Sequence, residues 1–107
     1  MLARSLLAVA LAAPLGTALA ADPAPVPVHD KTSMCTGCHG IPGYHTAYPV
    51  VYHVPKIGGQ NPAYIANALK EYRAKERWHP SMRGIAASLT DADIEQLAQY
   101  YGEGGKP

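Results

Sequence analysis

Two stretches of the chain carry apolar positions at helical spacing. In the first, Ile65, Leu69 and Tyr72 fall on one face, while Lys70, Glu71, Arg73, Lys75 and Glu76 mostly face solvent. Asn61-Pro62 stands ahead of them, a capping side chain followed by proline at the first helical position, so a helix is predicted from there to about Arg77. In the second, Ile94, Leu97, Ala98 and Tyr101 share a face, Thr90 and Asp93 match a capping box, and Gly102 marks the stop. Between the two, His79-Pro80-Ser81-Met82 reads as a loop.

Upstream, Gly and Pro recur through residues 41–59 without a sustained period, which predicts loop with at most one short helical turn. Asp30 is the expected cap of a short helical stretch running into Cys35 and ending near Gly40. Residues 21–29 form a proline-rich arm, where Pro23, Pro25 and Pro27 favour extended polyproline geometry rather than helix. Residues 1–20 read as a secretory signal peptide: Arg4, an apolar run from Leu6 to Leu15, and Ala18-Leu19-Ala20 before a cleavage point at Ala21. Pro14 and Gly16 interrupt that run and it falls short of the ~20 residues of a membrane span, so no integral anchor is expected after cleavage. No strand signal and no internal repeat are visible. The expected class is all-α, one small domain over residues 30–102 built from a few short helices around a cofactor, with a tail at 103–107.

Charge narrows the partners. Nine Lys and Arg stand against eight Asp and Glu, and loss of Arg4 with the leader balances them, so nucleic acid is not an expected partner. Lys70, Arg73, Lys75, Arg77 and Arg83 cluster before and after the Met82 loop, and Asp91, Asp93, Glu95 and Glu103 lie toward the last helix, which suggests a charge dipole and a basic docking face. There is no Phe, so seven Tyr and Trp78 supply the large rings. A chain this short builds only a modest apolar core, which makes a buried prosthetic group a reasonable staple.

Cys35-Thr36-Gly37-Cys38-His39 carries the chemistry, and its two cysteines are the only ones in the chain. Cys-x-x-Cys-His is the attachment signature of a c-type haem. Two thiols one helical turn apart can add across the two vinyl groups of one porphyrin, and the adjoining His39 then reaches the iron from the same side. A dithiol redox pair would want a buried strand before Cys35, where the chain has prolines instead. A zinc site would want four Cys or His ligands, which His45 and His53 could complete, and would leave the rest of the chain unexplained. Haem c, one per chain and covalently bound, is the expected cofactor.

The side of the iron opposite His39 needs a second ligand. Met1 leaves with the leader, and Met34 adjoins Cys35 and so starts on the same side as His39. Met82 is the favoured candidate, because a soft thioether there raises the potential of the Fe(III)/Fe(II) couple relative to a second nitrogen. His79 competes, with His45 and His53 behind it. An imidazole in that position would give a low-potential carrier, and an empty one would admit small ligands or peroxide.

These residues together resemble the class I c-type cytochromes, in particular the small bacterial monohaem type and the single halves of related dihaem cytochromes. The similarity runs from about Met34 to Tyr101, through Cys-x-x-Cys-His-Gly, Pro55-Lys56-Ile57-Gly58-Gly59-Gln60, the helix of Tyr64, Leu69 and Tyr72, then Met82 and Leu89-Thr90-Asp91-Ala92-Asp93-Ile94. The resemblance implies thioethers at Cys35 and Cys38, axial ligands His39 and Met82, and a Pro55 carbonyl that accepts the proton on the far nitrogen of His39. The chain departs from the family pattern in two places. The arm leaves room for only a stub of helix before the motif, and the segment between Gly40 and Pro55 is longer, carrying Tyr44, His45, Tyr48, Tyr52 and His53 as a lid over a haem edge or propionate. The implied function is a periplasmic electron carrier, not an enzyme by itself, exchanging electrons with a protein donor and acceptor. Alternatives are the haem subunit of a larger oxidoreductase complex, or a haem enzyme or gas-binding protein with a labile sixth ligand.

Overall fold

Helices α1 (Val28–His39), α2 (Pro62–Arg73), α3 (Pro80–Ala87) and α4 (Asp91–Gly102) carry the chain, with two-residue strands β1 (His45–Thr46) and β2 (Tyr52–His53) between α1 and α2. The computed structural model describes residues 27–48 and 50–105; the expected leader at 1–20, Pro23 and Pro25 of the arm, and Lys106 lie outside the described residues. The all-α class is as expected, with little strand.

α4 is the centre of the packing. Its face of Ile94, Leu97, Ala98 and Tyr101 is almost fully buried and meets Ile65 and Ala66 of α2 and Leu89 ahead of α4. The helix opens as its sequence predicts: Thr90 Oγ1 accepts from Asp93 N, and Asp93 Oδ2 accepts from Thr90 N. At its far end Gly102 is required by close approach, since a Cβ there would run into the Pro62 ring at the start of α2.

α1 differs from the expected stub. It starts at Val28, within the stretch read as arm, because Val28 packs against the core and Pro27 occupies the cap position. Asp30 is therefore not the cap; it lies in the first turn, where its negative charge suits the helix dipole. The helix packs on α4 through Lys31, which is buried to 7 % exposure and donates to Asp93 at 2.5 Å and Gln96 at 2.7 Å.

Three further elements correct the sequence reading. Residues 41–59 hold a small antiparallel ribbon, with His45 opposite His53 and Thr46 opposite Tyr52. Gly43, at φ +69°, provides the turn into it, and the Val50-Val51-Tyr52 run of branched and aromatic residues was the overlooked strand signal. α2 ends at Arg73 rather than Arg77 because Lys75 takes the left-handed conformation, φ +64°, and Arg83 then gathers the freed carbonyls of Lys75 and Arg77 at 2.8 Å each. The expected loop at His79–Met82 is instead the start of α3. Pro80 occupies its first turn, His79 Nδ1 accepts from Met82 N at 3.4 Å, and Met82, Ile85, Ala86 and Leu89 keep a helical period.

The expected charge dipole is largely cancelled by packing. Lys70 pairs with Glu95 at 2.8 Å, Arg73 with Asp91, and Lys31 with Asp93, so the basic face of α2 lies on the acidic start of α4.

The Lys31 ammonium, with help from the Thr90 contacts, holds the Asp93 carboxyl down at about 2, well below its ordinary value. A depressed carboxyl contributes stability fully above its unfolded value near 3.8 and loses it as pH falls toward the folded value. Lys31→Met should therefore cost about 1–3 kcal/mol at neutral pH. Urea titrations should show the wild type losing stability between about pH 4 and pH 2 more steeply than the variant.

Candidate functional site

A cavity of about 670 Å³ opens between α1, the ribbon, α2 and α3, with Leu97 and Tyr101 of α4 at its floor. That volume lies within the ~300–1,000 Å³ of cofactor-sized sites. Cys35, Cys38 and His39 border it from the last turns of α1, Pro55 from the loop after the ribbon, and Met82 from the first turn of α3. The structure thus brings all five sequence-predicted site residues to one wall system.

The three α1 residues share a face because positions three and four apart on a helix are neighbours. Both cysteines are free thiols, Cys35 half-buried and Cys38 exposed. Burial pushes the Cys35 thiol up, partly offset by the Tyr101 hydroxyl beside it. That hydroxyl is itself raised, mainly by burial and then by Cys35, and has no hydrogen-bond partner of good geometry, only the weakly accepting sulfur nearby.

His39 Nδ1 lies 2.7 Å from the Pro55 carbonyl oxygen. A carbonyl only accepts, so Nδ1 carries the proton and donates, leaving the lone pair on Nε2. Met82 has its backbone N–H committed to the His79 cap and borders the cavity. His79 is buried, also borders the cavity, and stacks edge-on with Tyr52 at 5.4 Å and Trp78 at 6.2 Å. Of the cross-strand pair His45 and His53, whose rings are 4.8 Å apart, His53 reaches the cavity wall.

Arg77 was read from sequence only as a surface charge. It borders the cavity with its guanidinium 5.1 Å from the Tyr72 ring and 5.8 Å from the Tyr64 ring, donating to the Tyr64 hydroxyl at 3.2 Å. The Tyr64 contact is the main cause of its raised pKa. Tyrosines eight residues apart on α2, followed by an arginine past its end, were the available signal. Tyr101 was recognised as a core position but not as the neighbour of Cys35.

The donor set fits a covalent haem. Two unpaired thiols, an imidazole of fixed tautomer and a methionine border a space whose remaining walls are mainly apolar, with Lys56 available for a carboxylate. It does not fit the zinc alternative, since among the described residues no three His, Cys, Asp or Glu side chains converge into a metal-holding group.

No protein-family model matches the chain. It is 40% identical over 70 residues to cytochrome c4 of Stutzerimonas stutzeri, covering 62% of this chain and 32% of that protein. It is 36% identical over 105 residues to cytochrome c-552 of Acidithiobacillus ferridurans, covering 94% of this chain and 43% of that protein. The cytochrome subunit of sulfide dehydrogenase of Chlorobaculum tepidum is 32% identical over 91 residues, covering 80% of this chain and 78% of that subunit. The chain therefore spans less than half the length of the first two relatives and most of the third.

The unpartnered Tyr101 hydroxyl sets a prediction. Tyr101→Phe should change unfolding free energy by less than about 1 kcal/mol, because little hydrogen bonding is lost. Tyr101→Ala, which empties the floor of the core, should cost about 3–5 kcal/mol in the same denaturant titration.

Proposed function

The chain belongs to the class I c-type cytochromes, and from that premise we propose that Cys35, Cys38, His39 and Met82 hold its haem and that it works as an exported, His/Met-ligated electron carrier. As a member of that family it carries one covalently bound haem c and transfers electrons rather than transforming a substrate. Bound haem supplies a one-electron Fe(III)/Fe(II) couple.

The observation that carries the ligand reading is the shared cavity, with His39 Nδ1 tied to the Pro55 carbonyl at 2.7 Å and Met82 on the same cavity's wall. The Pro55 bond fixes the imidazole's orientation and raises the basicity of Nε2, the nitrogen left to bind metal. Cys35 and Cys38 would each give one sulfur to a thioether, and Met82 would supply its own thioether sulfur to the iron as the second protein ligand. His79 is the weaker candidate, because a neutral imidazole that accepts at Nδ1 carries its proton on Nε2 and has no lone pair to offer.

The leader-like residues 1–20 support an exported, periplasmic setting. Among the described residues no helix is long and apolar enough to cross a membrane. We assign the cytochrome domain to residues 28–102, two residues longer at its start than the sequence suggests, followed by the tail 103–107.

A second reading has a specific observation behind it. A relative covered over 78% of its length is itself the cytochrome subunit of a dehydrogenase, so this chain serves either as a freely diffusing carrier or as the haem subunit of such a complex.

Met82→Ala should leave haem covalently attached, lower the potential, and open the iron to cyanide or carbon monoxide. Redox titration and ligand-binding spectra check this. An unchanged potential, with the weak far-red band of Met ligation retained or absent in both proteins, would sink Met82 as the ligand. Cys35→Ala or Cys38→Ala should impair stable covalent attachment, read by haem staining of the denatured protein.

A further inference from the structure

We propose that the ribbon segment, residues 41–54, is the surface on which this cytochrome docks a redox partner whose own contact patch is apolar and uncharged. The inference rests on the electron-carrier reading and adds to it a place and a partner chemistry.

Composition comes first. The fourteen residues from Ile41 to Val54 contain no Asp, Glu, Lys or Arg. Several of their large side chains stand open to water: Tyr48 at 85 % exposure, Val51 at 76 %, and Ile41, Val50 and Tyr52 each near half. Clustered exposed apolar surface of this kind marks an interaction site, because each Å² left in water forgoes ~25 cal/mol.

The charged surface gives no competing attraction of similar extent. Lys70, Arg73 and Arg77, the centre of the expected basic face, are paired with Glu95, Asp91 and Glu71, and the first two pairs join neighbouring helices. Each such pair is close to neutral beyond a Debye length of ~10 Å at 0.1 M salt. A partner patch rich in carboxylates would be desolvated against a segment that carries no cation of its own, the nearest in sequence being Lys56 just past its end.

Position connects the patch to the chemistry. Tyr52, His53 and Val54 border the cavity that fits the haem, while Tyr52 and His53 are also exposed. A partner seated on the ribbon is thus separated from the cavity by one layer of side chains.

The test uses haem-loaded full-length protein and gold electrodes coated with alkanethiol monolayers of equal length, ending in methyl or in carboxylate groups. The wild type should exchange electrons faster at the methyl surface, with little change between about 10 mM and 0.5 M salt. Val51→Asp and Tyr48→Ser should each slow exchange at the methyl surface about tenfold, equivalent to ~1.4 kcal/mol, while leaving the solution spectrum and potential as in wild type. Equal rates for wild type and variants would overturn the proposal. So would faster exchange at the carboxylate surface that fades with salt, which would move docking to Lys56 and Lys75, the described lysines outside ion pairs. Absence of a reversible one-electron couple in solution would instead overturn the carrier reading, and the docking proposal with it.

Discussion

How α1 lies on α4 decides where Cys35, Cys38 and His39 stand, and one buried ammonium holds that contact. Lys31 reaches Asp93 and Gln96 from a site almost closed to water. Burying a lysine is costly unless its charge is paired and its donors are met, and here the receiving carboxylate is already anchored by the capping box with Thr90. One turn further along α1, on the same face, Cys35 falls beside Tyr101 of α4. The rotation of the haem-attachment turn is thus set by a polar contact made one turn earlier.

The apolar core explains why a cofactor belongs here at all. Among the described residues the buried apolar side chains are Ile65, Ala66, Ala86, Leu89, Ile94, Leu97, Ala98 and Tyr101, gathered mainly between α2, α4 and the residues leading into α4. That is a thin core for a domain of this size. The cavity beside it shares Ile65, Leu89, Leu97 and Tyr101 as floor and wall, so a large apolar prosthetic group extends the same core rather than sitting apart from it. His39 adds a directional element, its tautomer fixed by the Pro55 carbonyl.

The surface divides into two regimes with different origins. On α2 and α4, charges of opposite sign meet across helices and spend themselves locally. The ribbon carries none, and keeps its apolar side chains in water. Between them Arg83 ties the irregular turn at Lys75 and Arg77 to α3, which carries Met82. The left-handed Lys75 costs about 1 kcal/mol of backbone strain and is held by these bonds.

Much of the site was legible in the sequence because its signals are local. Cys35-Thr36-Gly37-Cys38-His39 fixes the cofactor class through spacing alone, Asn61-Pro62 and Thr90 with Asp93 fix two helix starts, and the periods of α2 and α4 give their buried faces. Each of these depends on residues within one or two helical turns. What the sequence did not reveal depends on partners far along the chain. The length of α1 rests on Val28 meeting the core and on Lys31 meeting Asp93. The early end of α2 rests on Arg83, and the pairing of His45 with His53 on closure of a ribbon. The cancellation of the charge dipole rests on α2 crossing α4. The sequence by itself determined which chemistry the chain carries, since covalent attachment is written in adjacent residues. Only the tertiary structure decided which cations remain available and which faces stay open to water, because pairing and burial are properties of contacts between elements and not of their order.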